Sequence, residues 1–130
     1  MKWEHKKPAT ATLHIHGFAA DTNWNDPLYF YGSDATLIRQ HMNGNANEWL
    51  SEELKIHKTQ IRWAIEHEMA RTVEDFLSRR TRALLLNAKE SRRIAPEVAS
   101  IMAKALDKDE QWKADQLQSF NKISEHYILK

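Results

Sequence analysis

The sequence predicts a mainly α-helical protein, a multi-helix bundle preceded by an extended N-terminal arm. Three observations carry that expectation. From about Trp49 onward, apolar residues recur at spacings of three and four. Helix-start signatures stand at Thr72, Asn87 and Asp109. Five of the six Gly and Pro residues fall before residue 48, where periodicity is weak. The arm is assigned to residues 1–33 and the bundle to residues 34–130.

Taken in chain order, Leu13 and Ile15 alternate with His14 and His16, the pattern of a short strand or extended segment. Asn23-Trp24-Asn25-Asp26-Pro27 is turn chemistry. Ser33-Asp34-Ala35-Thr36 is a run of N-cap residues that opens a helix. Leu37 and His41 share one of its faces, and Gly44 stands where a C-terminal cap belongs. Ile61, Ile65, Met69, Val73, Phe76 and Leu77 form the next apolar stripe. Thr72 to Asp75 reads as a capping box that interrupts or restarts this helix. Asn87 to Glu90 repeats the cap logic, and Pro96 suits a first helical turn. Val98, Ile101, Met102 and Ala105 continue the pattern. After Asp109, a last helix carries Trp112, Leu117, Phe120, Ile123 and Tyr127 on its inner face. Trp63 and Trp112 are expected in or beside the core. Trp24 and Trp49 fall near loops, where an interface role is expected.

The 130 residues suffice for one core. Lys and Arg number 19 against 18 for Asp and Glu, a balance that argues against a general polyanion binder. With three glycines the chain has no GxGxxG or Walker phosphate loop. It has no cysteine, so disulfides, thiol nucleophiles and Cys-ligated zinc are excluded, and a reducing cytoplasm is expected. No apolar run approaches the roughly 18 residues of a membrane span, and no hydrophobic segment follows the basic start, so a secretory signal is not expected.

His14 and His16 would project from one strand face about 7 Å apart. Two imidazoles are an incomplete ligand set, and no third ligand follows from spacing, so no metal is assigned. His67-Glu68-Met69-Ala70-Arg71 begins like the zincin motif, but a guanidinium has no lone pair to give zinc. No serine sits in a recognisable triad motif.

Arg62 to Arg82 is the densest charge pattern. Arg62 with Glu66, Glu68 with Arg71, and Asp75 with Arg79 stand at helical ion-pair spacings. Glu68 borders Ala64 and Ile65 on the apolar stripe, so it is expected to be partly buried with a partner. Arg79, Arg80 and Arg82 form a basic cluster. The candidate site is therefore a structural or interdomain ion-pair network of Glu68, Arg71, Glu74, Asp75, Arg79, Arg80 and Arg82. If buried, such pairs cost on the order of 3–5 kcal/mol to break singly.

The run Glu68-Met69-Ala70-Arg71-Thr72-Val73-Glu74-Asp75, continued by Arg79-Arg80-Thr81-Arg82, resembles the C-terminal helical domain of FAD-dependent glycerol-3-phosphate dehydrogenases. Leu84-Leu85-Leu86-Asn87-Ala88 and Ala95-Pro96-Glu97-Val98-Ala99 fit the same pattern. So do Leu13-His14-Ile15-His16-Gly17 and Tyr31-Gly32-Ser33-Asp34-Ala35 upstream. The resemblance spans residues 11 to 128. It implies an accessory domain cut from a larger flavoenzyme, with Trp3 to Thr10 belonging to an interdomain connection. FAD and substrate would sit in N-terminal domains of the same polypeptide, and this chain would hold no cofactor and no catalytic residue. The parent would oxidise sn-glycerol 3-phosphate to dihydroxyacetone phosphate. Its electrons would pass to quinone, at the cytoplasmic face of a membrane, or to oxygen in oxidase relatives. Two competing readings are a free-standing helical module that binds nucleic acid through Arg79, Arg80, Arg82, Arg92 and Arg93, and a protein-interaction adaptor that uses exposed tryptophans. The near-neutral charge argues against nucleic acid.

Overall fold

The computed structural model describes residues 8–42 and 47–128. Trp3, the basic start and Gly44 lie outside the described residues. Two compact units form, Met1–Leu37 and Ile38–Lys130.

The first unit is irregular. The strand expected over residues 11–16 does not form, and Leu13 and Ile15 are exposed. A single strand needs a neighbour for its N–H and C=O groups. Here the backbone bonds locally instead, with the Thr12 N–H on the Ala9 carbonyl (3.1 Å) and the Phe18 N–H on Ile15 (3.1 Å). The predicted turn is present. Asn23 Oδ1 accepts from the Asn25 N–H (3.1 Å), and Asp26 Oδ1 accepts from the Leu28 N–H (3.0 Å). A 3₁₀ segment, Tyr29–Asp34, is broken at Gly32 (φ 56°, ψ −126°), a conformation open essentially to glycine. The Ser33 N–H bonds the Gly17 carbonyl (3.1 Å), and His16 Nε2 meets Asp34 Oδ2 at 2.8 Å, so residues 17 to 33 form a closed loop. A Cβ added to Gly32 would sit 1.7 Å from the Gly17 oxygen.

Helix α1 (Ala35–Met42) follows, starting where the N-cap run placed it. The second unit then departs from expectation. Residues from Trp49 form a two-stranded antiparallel hairpin, β1 (Trp49–Ser51) and β2 (Ile56–His57), with Trp49 opposite His57, rather than a helix. Strands this short show no periodicity of their own. Ser51 Oγ accepts from the Leu54 N–H (3.1 Å) inside the turn, and Lys55 takes the left-handed conformation (φ 55°) that closes it.

Helix α2 (Lys58–His67) begins at His57, whose Nδ1 accepts from the Thr59 N–H (3.1 Å) while Gln60 Oε1 accepts from the His57 N–H (2.6 Å). The apolar stripe that begins at Ile61 breaks after Glu68. Met69 has φ 56° and is 76% exposed, not part of the core. The chain re-enters helical geometry as a π-helical segment, Asp75–Arg80, closed by the Thr81 N–H on the Phe76 carbonyl (3.0 Å). Helices α3 (Ala83–Leu86), α4 (Ala88–Ala105) and α5 (Glu110–Ser124) complete the unit.

Both remaining cap expectations hold. Asn87 accepts from the Glu90 N–H (3.0 Å) and Asp109 from the Trp112 N–H (2.8 Å). Pro96 does not start a helix but lies inside α4, because the Asn87 cap starts it earlier. Its ring is exposed, and a proline has no N–H for the carbonyl four residues back. Helix α4 is the centre of the unit and packs on α2, α3, α5 and β1. The core gathers Ile61, Ala64 and Ile65 of α2, Val73, Phe76 and Leu77, then Ile94, Val98 and Met102 of α4, and Phe120 of α5. Trp63 is buried, and Trp112 is half-buried against the core, as expected. Tyr127, expected on the inner face, is half exposed because the last turn is a separate 3₁₀ turn, Glu125–Tyr127. No helix among the described residues is long and apolar enough to cross a membrane.

Candidate functional site

Six of the seven residues of the predicted network lie around the junction between α2 and the π-helical segment, and Arg82 lies beyond it at the start of α3. Thr72 and Asp75 build the junction. Thr72 Oγ1 accepts from the Asp75 N–H (3.0 Å), and Asp75 Oδ2 accepts from the N–H groups of Thr72 (2.9 Å) and Arg71 (3.0 Å). This reciprocal cap satisfies the first donors of the new helical segment. Burial works against the charged form of Asp75. The hydrogen bonds from Arg71 and Thr72, with the charge of Arg79, outweigh it and hold the carboxyl below its usual range.

Arg79 spans two carboxylates, with Nη2 2.6 Å from Glu74 Oε1 and Nη1 2.7 Å from Asp75 Oδ1. The pairing is superficial, since the Arg79 side chain is 49% exposed. The expected penalty for breaking a buried pair therefore does not apply to it, because water screens the attraction. Arg71 and Arg80 do something else: they cap α2. Arg71 Nη1 reaches the Ile65 carbonyl (3.4 Å), and Arg80 Nε donates to the Glu68 carbonyl (2.9 Å). Both positive groups thus sit at the negative end of the helix dipole and take carbonyls that have no intrahelical partner. The helix ends between Glu68 and Arg71, so their helical spacing no longer applies. Glu68 is half-buried. Arg82 stands apart. It is exposed in the left-handed conformation (φ 56°), and among the described residues it forms no ion pair.

Two further links escaped the sequence reading. Glu90 and Arg93 form a two-pronged pair, with Arg93 Nε on Oε2 and Nη2 on Oε1, each at 2.7 Å. The same Nη2 donates to the Leu50 carbonyl (2.8 Å), tying α4 to β1. The Arg93 hydrogen bonds, then that of the Ser51 side chain, pull the Glu90 carboxyl down to about 2. The i,i+3 spacing of Glu90 and Arg93 was visible, but the carbonyl of Leu50 lies 43 residues away. Gln116 is the second case. Its Oε1 accepts from the Val73 N–H (3.1 Å), so α5 completes the cap of the π-helical segment, again across 43 residues.

The remaining candidates are dispersed. His14 and His16 do not flank a common strand face. His14 stacks on Phe18 with ring centroids 3.9 Å apart, and His16 pairs with Asp34. His67 packs on Trp63 at 4.0 Å. Trp49, expected at an interface, lies in β1 with its ring edge-on to buried His57 (5.3 Å). A hollow of about 240 Å³ beside α2 is lined by His41, Glu48, Lys58, Arg62, Trp63 and Glu66. Its cations face carboxylates: Lys58 meets Glu97 at 2.7 Å and Arg62 meets Glu66 at 3.1 Å.

The strand-to-helix junction into α2 does not fit the pyrophosphate of a flavin dinucleotide. Such a cradle needs a glycine-rich turn and free amide donors. Here the turn holds no glycine, and the Thr59 N–H already bonds His57. The hydrogen bonds of residues 71–80 themselves serve to end one helical segment and begin the next. Val73 is tied to Gln116 of α5, and α2 packs on α4.

No curated protein and no solved structure matches the chain. The family model described as the C-terminal domain of alpha-glycerophosphate oxidase matches residues 7–113. That match takes in the first unit from residue 7, the hairpin, the capped junction and all of α4, so the chain belongs to the family of alpha-glycerophosphate oxidase C-terminal domains.

Proposed function

We propose that this chain is the C-terminal accessory domain of an FAD-dependent enzyme that oxidises sn-glycerol 3-phosphate to dihydroxyacetone phosphate. The observation that carries the reading is the family match over residues 7–113. In this reading, FAD and substrate are held by preceding domains of the same polypeptide. The alcohol at C2 becomes a ketone, and its two electrons go to quinone at the cytoplasmic face of the membrane. The chain itself contributes packing and no reacting group. Its best-built features agree with that role, since Arg71, Arg80 and Arg93 hold backbone carbonyls and Asp75 holds backbone amides. The nucleic-acid reading has less support. Arg79 and Arg93 are already engaged by carboxylates, and Arg92 faces Glu125 at 3.7 Å.

The test compares the 130-residue chain, the polypeptide that carries it with its flavin domains, and that polypeptide truncated before it. Flavin content and reduction of a quinone analogue by glycerol 3-phosphate are measured in each. The chain alone is expected to bind no flavin and show no turnover, and truncation is expected to lower activity or flavin retention. Turnover by the chain alone, or a truncated enzyme equal to the intact one in both measurements, would overturn the reading.

A further inference from the structure

We propose that an aromatic row in the first unit is a docking face, and that its occupant is a basic-rimmed apolar surface on the preceding domains of the same polypeptide. This rests on the accessory-domain reading above and adds which face is used and what it recognises. Trp24, Tyr29 and Phe30 stand in a row, with ring centroids 5.4 Å and then 5.6 Å apart, and Phe30 continues to Tyr31 at 4.3 Å. Tyr31 is buried and anchors the inner end, while Tyr29 and Phe30 are about half exposed and Trp24 is 76% exposed. Large rings of this kind are what interface centres are made of, and contiguous exposed sets of them mark interaction sites.

The row is presented on an ordered support. The loop that bears it is closed by the Ser33–Gly17 backbone bond, by the His16–Asp34 pair and by the close approach of Gly32 to Gly17. Leu28, between Trp24 and Tyr29, is buried, and its N–H is held by Asp26. A face fixed before contact loses little conformational freedom on binding.

Charge and position identify the occupant. From Pro8 through Leu37 there are three acidic residues and no Lys or Arg. Asp34 pairs with His16 and Asp26 holds the Leu28 N–H, while Asp21, three residues before Trp24, is exposed. The complementary surface therefore carries Lys and Arg around an apolar patch. The matched family is a C-terminal domain and the match begins at residue 7, so this unit is the part of the domain that follows directly on the domains before it.

The experiment titrates the 130-residue chain into the flavin-carrying part of the same polypeptide, produced without this chain and kept in excess FAD, with its folded state checked by circular dichroism. Calorimetry is run at about 50 and about 300 mM salt, which spans the range where surface charge is screened. Wild type is expected to bind, more weakly at high salt. Trp24→Ser is expected to weaken binding by about 10-fold or more. Asp21→Lys is expected to weaken it by roughly 3- to 10-fold and to flatten the salt dependence. Leu85→Ser, at an exposed site of the second unit, is expected to leave it unchanged. Binding that is indifferent to Trp24→Ser and Asp21→Lys would overturn the proposed face and leave the accessory reading intact. Absence of any binding to the folded flavin body, with no self-association of the chain either, would overturn the accessory reading, and the docking face with it. Self-association in sedimentation that Trp24→Ser abolishes, without binding to the body, would overturn the occupant in favour of a second copy.

Discussion

Thr72 and Asp75 cap each other. The hydroxyl of Thr72 takes the Asp75 N–H, and the carboxylate of Asp75 takes the Thr72 N–H, at 3.0 and 2.9 Å. Asp75 also holds the Arg71 N–H, so one carboxylate orders three consecutive features of the chain: the end of a loop, a cap and the Arg79 pair. Thr72→Ala should cost about 1 kcal/mol. Asp75→Ala should cost on the order of 2–3 kcal/mol, because it removes charge-assisted bonds from partly buried amides. Urea unfolding curves test the ranking, and a Thr72→Ala loss larger than that of Asp75→Ala would contradict it.

Arg79 and Arg80 are neighbours with unequal roles. Arg79→Ala should cost roughly 0.5–1 kcal/mol, the scale of exposed pairs. Arg80→Ala should cost more, about 1–3 kcal/mol, since it strands the Glu68 carbonyl at a half-buried helix end. Added salt should shrink the Arg79 effect and leave the Arg80 effect nearly intact. Thermal melts at low and high salt separate the two.

The Glu90–Arg93 pair makes stability fall on the acid side. The Glu90 carboxyl is lowered from 4.5 to about 2 in the folded chain, so its contribution is complete above the unfolded value. It is lost as pH falls from about 4.5 towards about 2. Because Arg93 is largely exposed, the contribution is expected to be on the order of 1–2 kcal/mol rather than the full linkage value. Glu90→Gln should lower stability at neutral pH and reduce its change between pH 4.5 and 2. An unchanged acid limb in that variant would remove Glu90 from the account.

Gly32→Ala should open the loop of the first unit. Its φ of 56° disfavours a side chain, and a Cβ would collide with the Gly17 oxygen. Limited proteolysis should then cut between Gly17 and Gly32 at least several-fold faster, while the melting of the second unit stays where it was.

Pro96→Ala should raise stability. The site is exposed and inside α4, where proline removes a backbone donor and crowds the preceding turn. A gain of about 1–3 kcal/mol is expected by differential scanning calorimetry.

The sequence alone determined the helical class, the starts of α4 and α5, the restart at Thr72 and the family. Each rests on neighbours a few residues apart: Asn87 with Glu90, Asp109 with Trp112, and Thr72 with Asp75. Local bonds of this kind are written in spacing. The hairpin at residues 49–57 was not legible, because its strands of three and two residues are too short to show alternation. Nor was the start of α2, because histidine is an uncommon cap and His57 serves only by presenting Nδ1 to Thr59. The charged run from Glu68 to Arg82 was visible, yet pairing Glu68 with Arg71 applied helical spacing across the break before Thr72. Tertiary structure decided that Met69 turns outward, that Arg80 reaches a carbonyl rather than a carboxylate, and that Gln116 completes a cap for Val73. Those choices depend on which backbone groups the packed helices leave without partners. A chain reveals that only when its distant segments meet, because burial makes an unmatched donor or acceptor costly.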